Sequence, residues 1–111
     1  MQDLVKTSLR LTPDRIVVGE VRGAECVDLL AAWITHNGGI ATCHSTSAEK
    51  GLTRLESLFL QAGGINPKPL IAEAVNVMVH LELVGVKRRV SDILEVEGFD
   101  GSSYVLSKIE R

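Results

Sequence analysis

The sequence lacks several features that would assign it to a common class of protein. No apolar run approaches the roughly 20 residues that cross a bilayer, and the first residues do not form a basic segment followed by an apolar one. A net charge of −2 over 111 residues gives no general attraction to nucleic acid or to anionic membranes. There are no internal repeats and no low-complexity linker. We therefore expect one modest cytoplasmic domain with no transmembrane segment and no sequence-specific nucleic-acid binding.

Cysteine is scarce, and its spacing matches no metal site. Cys26 and Cys43 are the two cysteines, and each lies in an apolar segment. Buried thiols in a reducing cytoplasm are therefore favoured over a disulfide. The phosphate-binding sequence Gly-x-x-x-x-Gly-Lys-Ser/Thr is also absent. Without it, these residues contain no complete P-loop nucleotide site.

Two short apolar runs each end at an ionisable residue. Ile-Val-Val at 16–18 predicts the inside of a buried parallel strand, which stops at Glu20, and the run 39–44 ends at His44. If the two strands are neighbours, their backbones lie about 4.8 Å apart and both side chains flank one space at the sheet edge. That space suits a terminal phosphate with its magnesium ion and attacking water. The alternative is that Glu20 is an ordinary solvated residue at a strand end.

The rest of the pattern divides the chain into two parts. An apolar helix is predicted over 24–35, and the capping-box spacing of Thr46 and Glu49 opens a second helix that ends before Gly63. A short helix follows around 70–73. From residue 75 apolar side chains recur at every second position, so strands are predicted over 75–83, 86–96 and 104–109. We expect an α/β core over 1–74 and an antiparallel β appendage over 75–111.

Two sequence boxes carry a family resemblance. Gly19-Glu20-Val21-Arg22-Gly23 and the run from Gly38 to Ser45 resemble the Walker B and histidine boxes of the ATPases that power type II and type IV secretion, pilus assembly and conjugation. When residues 48–58 are included, the sequence is most similar to the TrbB-type conjugal transfer ATPases. The resemblance implies a partial RecA-like P-loop ATPase core that uses ATP and Mg²⁺. It also implies homo-hexamers that work beside the inner membrane with secretion or conjugation components.

The same resemblance assigns roles to individual residues. Glu20 matches the catalytic Walker B glutamate, which supports magnesium through water, and His44 matches the residue that senses the terminal phosphate. The residues expected to line the nucleotide beside them are Gly19, Arg22, Thr42 and Ser45.

Three arginines are open to two interpretations. Arg10 and Arg15 could face the nucleotide of a neighbouring subunit, or they could be solvent-exposed charges. Arg22 could lie at the mouth of the site, or it could pair with Glu25 or Asp28 on the following helix. Glu25 itself is expected to matter little for turnover.

Two departures from the family pattern affect what the chain can do. The segment Thr35-His36-Asn37-Gly38-Gly39 lacks one glycine of the usual Thr-Gly-His-x-Gly-Gly, which could displace the second strand. The front half of the nucleotide site is missing as well. The chain therefore resembles the C-terminal part of such an ATPase, whether as a truncation, a split gene product or a fragment, and we expect it to be inactive alone. The alternatives are a non-catalytic remnant that joins intact subunits, a type II secretion or pilus assembly ATPase fragment, and an unrelated α/β binding domain.

Overall fold

Two separate sheets and three helices make up residues 16–35 and 38–109, which are the residues described by this computed structural model. In chain order the elements are β1 (Ile16–Val18), α1 (Glu25–Thr35), β2 (Gly39–Ala41), α2 (Ala48–Gln61), α3 (Pro67–Ala74), β3 (Val77–Val84), β4 (Lys87–Phe99) and β5 (Tyr104–Lys108). Within the described residues, no helix is long and apolar enough to cross a membrane.

The first sheet is the parallel pair that the sequence predicts. β1 and β2 are in register, with Val18 opposite Ala41, and the pairing continues where the Val21 N–H donates to the Thr42 carbonyl at 2.8 Å. His36 and Asn37 lie outside the described residues. Because β2 is in register with β1, the missing glycine in the preceding loop has not displaced the second strand.

β1 is not the fully buried strand that its Ile-Val-Val sequence predicts. Val18 is buried, whereas Val17 is 70% exposed, as is its neighbour Ile40 at 69%. In the described part of the chain the helices cover one face of this sheet, and alternate side chains on a strand point to opposite faces. β1 coincides with the predicted Ile-Val-Val run, and the chain bends at Gly19 before it reaches Glu20. β2 is shorter than the predicted run 39–44, because the chain leaves the ladder after Ala41.

The three helices enclose the core. α1 packs against α2 and α3, and the core side chains from these helices include Leu29, Leu30, Leu52, Leu58 and Ile71. Burial of these apolar side chains is the main contribution to the stability of such a small domain. Cys26 lies in the core as a free thiol, and burial raises its pKa to about 11. Cys43 is also free but only half-buried.

The start of α2 differs from the prediction by one residue. Ser47, and not Thr46, is the N-cap: its hydroxyl accepts the Lys50 N–H at 3.1 Å. The helix ends as predicted before the two glycines, where Gly63 has a φ of 90° that favours glycine.

The antiparallel appendage is confirmed as the sheet β3-β4-β5. Asp100 forms the β4–β5 turn, its carboxylate accepting the N–H groups of Ser102 at 3.0 Å and Ser103 at 2.9 Å. β3 buries the face opposite to the one that its apolar residues predict. Leu81 and Leu83 are 58% and 67% exposed, whereas the alternate face, with Met78 beside Gly51 of α2, is half-buried.

Candidate functional site

Glu20 lies two residues beyond β1 and joins two strand ends through one carboxylate. Its Oε2 accepts a hydrogen bond from Arg22 Nη2 at 2.7 Å, and its Oε1 is 3.0 Å from His44 Nε2. The Glu20 side chain is 24% exposed, whereas those of Arg22 and His44 are 78% and 91% exposed. The carboxylate is therefore held between two groups that remain accessible from solvent.

Local backbone geometry explains why these residues meet. The parallel register brings the carboxyl ends of β1 and β2 to the same sheet edge. Beyond the ladder, the Thr42 hydroxyl donates to the Gly19 carbonyl, and the Val21 N–H donates to the Thr42 carbonyl. The two loops that carry Glu20 and His44 are thus fastened to each other.

The charge of Glu20 is stabilised where it lies. The hydrogen bond from Arg22 lowers the pKa of the Glu20 carboxyl below its ordinary value of 4.5, partial burial opposes this, and the charges of Arg22 and His44 lower it further. The same hydrogen bond raises the pKa of Arg22. Glu20 is therefore an ionised acceptor at neutral pH.

The remaining predicted residues have distinct surroundings. Gly19 is exposed, and a Cβ placed on it would meet nothing within 4 Å, so its backbone is open to approach. Thr42 ties the two loops together. The Ser45 hydroxyl donates to the Ser47 carbonyl at 2.7 Å and so orders the entry to α2. Arg10 and Arg15 lie outside the described residues.

Glu25 makes loop contacts that the sequence pattern did not reveal. Its Oε1 accepts the backbone N–H groups of Arg22 at 2.8 Å and Gly23 at 3.3 Å, and the residue is 8% exposed. Arg22 therefore pairs with Glu20 through its side chain and with Glu25 through its backbone. The available signal was an acid at the first position of a helix, just after an Arg-Gly loop whose N–H groups need acceptors.

An open groove of about 640 Å³ adjoins the site. Its lining includes residues of β2 and β3 together with Leu29 and Trp33 of α1. His44 and Ser45 also line it, so the groove reaches the loop that carries His44. In the described part of the chain, β2 pairs with β1 alone and β3 with β4 alone, so each presents an unpaired strand edge.

The groups at this edge suit a phosphate and a hydrated divalent cation such as Mg²⁺. Mg²⁺ takes one or two carboxylates, substrate phosphate and several waters. Among the described residues no three His, Cys, Asp or Glu side chains are grouped so as to hold a metal ion directly, and the lone carboxylate of Glu20 suits contact through water. The accessible guanidinium of Arg22 and imidazole of His44 are groups that donate hydrogen bonds to phosphate oxygens.

Comparison with known proteins assigns the family. Residues 1–95 match the family model described as type II/IV secretion system protein. The chain belongs to this family. The conjugal transfer protein TrbB of Rhizobium radiobacter is 43% identical over 105 residues, which are 94% of this chain and 32% of that protein. The chain thus spans about a third of the length of this curated relative.

Solved structures of secretion-family proteins share the fold. The VirB11 ATPase of the Brucella suis type IV secretion system, crystallised in complex with sulphate, matches 83% of this chain and 30% of its own with a TM-score of 0.73 at 28% identity. The Legionella pneumophila ATPase DotB matches 85% of this chain and 27% of its own with a TM-score of 0.71 at 26% identity. The predicted fold class and the resemblance to TrbB-type secretion ATPases are therefore confirmed.

Proposed function

We propose that this chain supplies the water-positioning half of an ATP-hydrolysing site in a conjugal transfer or type IV secretion ATPase. The observation that carries the proposal is the position of Glu20 at the strand ends, 2.7 Å from Arg22 and 3.0 Å from His44. A TrbB protein among the relatives and two ATPases among the solved structures support it.

Each side chain has a role that its chemistry allows. The Glu20 carboxylate is placed to accept a hydrogen bond from the attacking water, and it would hold a magnesium ion through that ion's bound water. The imidazole of His44 donates to a terminal phosphate oxygen, and the Arg22 guanidinium balances the charge of Glu20. Gly19, Thr42 and Ser45 form the backbone and hydroxyl border of this space. ATP with magnesium, when bound, supplies the phosphoanhydride bond that water cleaves.

The phosphate cradle must come from a segment outside these residues, because they contain no Gly-x-x-x-x-Gly-Lys-Ser/Thr sequence. The groove between β2 and β3 supports this part of the proposal. An extended strand placed there could pair with the free edge of β2, at the spacing of about 4.8 Å that separates adjacent strands. A strand parallel to β2 would end at the edge that carries His44, where a phosphate-binding loop is needed.

The proposed assembly is a homo-hexamer that acts with inner-membrane secretion or conjugation components. A second candidate function is non-catalytic association with intact subunits, and the exposed apolar side chains of β3, such as Leu81 and Leu83, favour it. The two candidates differ in whether Glu20 affects turnover.

The test is a kinetic comparison in a single polypeptide in which this sequence replaces the matching third of a TrbB relative. Glu20→Gln should leave nucleotide binding within a few-fold and lower turnover by roughly 10²-fold or more, the scale of losing a positioned acid–base group. Glu49→Gln is the matched control, because Glu49 is an exposed glutamate in the first turn of α2. Equal activity of the two variants would exclude the hydrolytic role and favour the second candidate.

A further inference from the structure

Glu25 carries the buried charge of this fold. Among residues 16–35 and 38–109 it is the one charged residue that is buried, at 8% exposure. It begins α1, and its carboxylate turns back onto the preceding loop, where it accepts the N–H groups of Arg22 and Gly23 at 2.8 Å and 3.3 Å. Burying a carboxylate is costly unless hydrogen bonds compensate it, and here backbone donors do so.

The charge state of Glu25 follows from these contacts. Burial alone raises the pKa of the Glu25 carboxyl, but the backbone N–H groups of Arg22, Glu25 and Gly23 together lower it below its ordinary value. The group is therefore a carboxylate at neutral pH. Charge-assisted hydrogen bonds of this kind are stronger than bonds between neutral groups.

The helix dipole does not by itself explain this burial. A glutamate in the first turn of a helix is stabilised by the dipole while it stays in solvent. Glu49 has that place in α2 and is exposed. The carboxylate of Glu25 is instead shielded from solvent and accepts two N–H groups of the loop 20–23. Its position therefore stabilises the loop as well as the helix.

That loop carries the contact on which the site depends. The backbone N–H of Arg22 donates to Glu25, and its guanidinium donates to Glu20 at 2.7 Å, so fixing the backbone limits where the guanidinium can reach. We propose that Glu25 is a positioning residue: its buried carboxylate fixes the backbone at Arg22 and Gly23, and thereby holds the Arg22 guanidinium on Glu20. For turnover, this inference rests on the proposed function of Glu20.

The first arm of the test needs no nucleotide. Amide hydrogen exchange by NMR is measured on the 111-residue chain and on its variants Glu25→Ala, Glu25→Gln and Glu49→Ala. Glu25→Ala should speed exchange at Arg22 and Gly23 by about tenfold or more, the scale of losing a charge-assisted hydrogen bond. Exchange at Leu29 and Leu30, which are buried in α1, should stay unchanged and so exclude general unfolding.

Glu25→Gln separates shape from charge in the same experiment. Its amide oxygen can still accept the Arg22 N–H, so its exchange rates should lie between those of the original chain and Glu25→Ala. Glu49→Ala should leave the loop amides unchanged. Equal exchange at Arg22 and Gly23 in all variants would overturn the proposal.

The second arm uses the fused ATPase described above. Glu25→Ala should lower kcat by about tenfold with KM within about twofold, because misplacing a catalytic neighbour affects the transition state more than binding. Glu25→Gln should recover part of kcat. If Glu20→Gln is inert but Glu25→Ala still frees the loop amides, the proposed function fails and the loop role stands. If Glu20→Gln lowers turnover but Glu25→Ala leaves kcat unchanged, the positioning role fails.

Discussion

At the scale of single residues, the site depends on one carboxylate that two groups share. Arg22 and His44 approach different oxygens of Glu20, and the hydrogen bond from Arg22 is the main cause of its lowered pKa. Because the folded-state value lies below 4.5, the pair adds to folding stability above pH 4.5, and this contribution is lost as the pH falls through the lowered value.

We therefore predict that the Glu20 carboxyl of the chain titrates below 4.5 and that Arg22→Ala raises its midpoint. The carboxyl carbon signal of Glu20, followed by NMR against pH, measures both midpoints. Lys50→Ala serves as the control, because Lys50 is an exposed cation on α2. A Glu20 midpoint that is the same with and without the Arg22 side chain would show that the ion pair does not form in solution.

The sequence was sufficient to place Glu20 and His44 at neighbouring strand ends, but it did not predict which side chains the nearby Arg22 contacts. An apolar run followed by an ionisable residue defines a strand end, and the parallel register then brings two such ends together. Whether Arg22 turns to Glu20 or to Glu25 depends on loop dihedral angles that residue spacing does not determine. The structure uses both, one through the side chain and one through the backbone.

At the scale of elements, the entry to α2 shows how closely spaced cap candidates compete. Thr46 and Ser47 are adjacent hydroxyl residues, and the Ser47 hydroxyl is the one that accepts the Lys50 N–H. We predict that Ser47→Ala lowers the free energy of unfolding by about 1 kcal/mol, the usual loss for an N-cap. Thr46→Ala should change it by less than about 0.5 kcal/mol, since Thr46 is exposed.

Urea unfolding of the two variants, with the original chain as reference, measures this difference. A larger loss for Thr46→Ala than for Ser47→Ala would restore the capping box that the sequence suggests and contradict the observed cap.

The apolar patterns in the sequence predicted that the strands exist, but they did not predict which face of each strand is buried. The alternation from residue 75 correctly predicts β3, yet the helices pack on the face with Met78 and leave Leu81 and Leu83 exposed. Likewise Val17 and Ile40 are exposed on the first sheet. Apolar periodicity reports which residues favour burial, and it cannot tell whether a covering element lies within the same 111 residues.

At the scale of the whole molecule, the groove is bordered by two sheets, and in the described part of the chain β2 and β3 are edge strands of these sheets. Residues of β2 and β3 line the groove beside the His44 loop, and several of the β3 side chains are exposed. In the proposed function, one further strand, followed by a phosphate-binding loop, occupies this groove and completes a nucleotide site on Glu20. The chain spans about a third of the length of the TrbB relative.

The most direct test is magnesium-dependent phosphate release from ATP. It is measured for the chain alone and for the chain mixed with a polypeptide from the unmatched part of a TrbB relative, chosen to carry an apolar strand followed by Gly-x-x-x-x-Gly-Lys-Thr. We predict no turnover by the chain alone, because the phosphate cradle is a dominant catalytic contribution. We predict steady turnover by the mixture, which Glu20→Gln lowers by roughly 10²-fold or more. Steady turnover by the chain alone, or a Glu20→Gln mixture as active as the original, would contradict the proposed function.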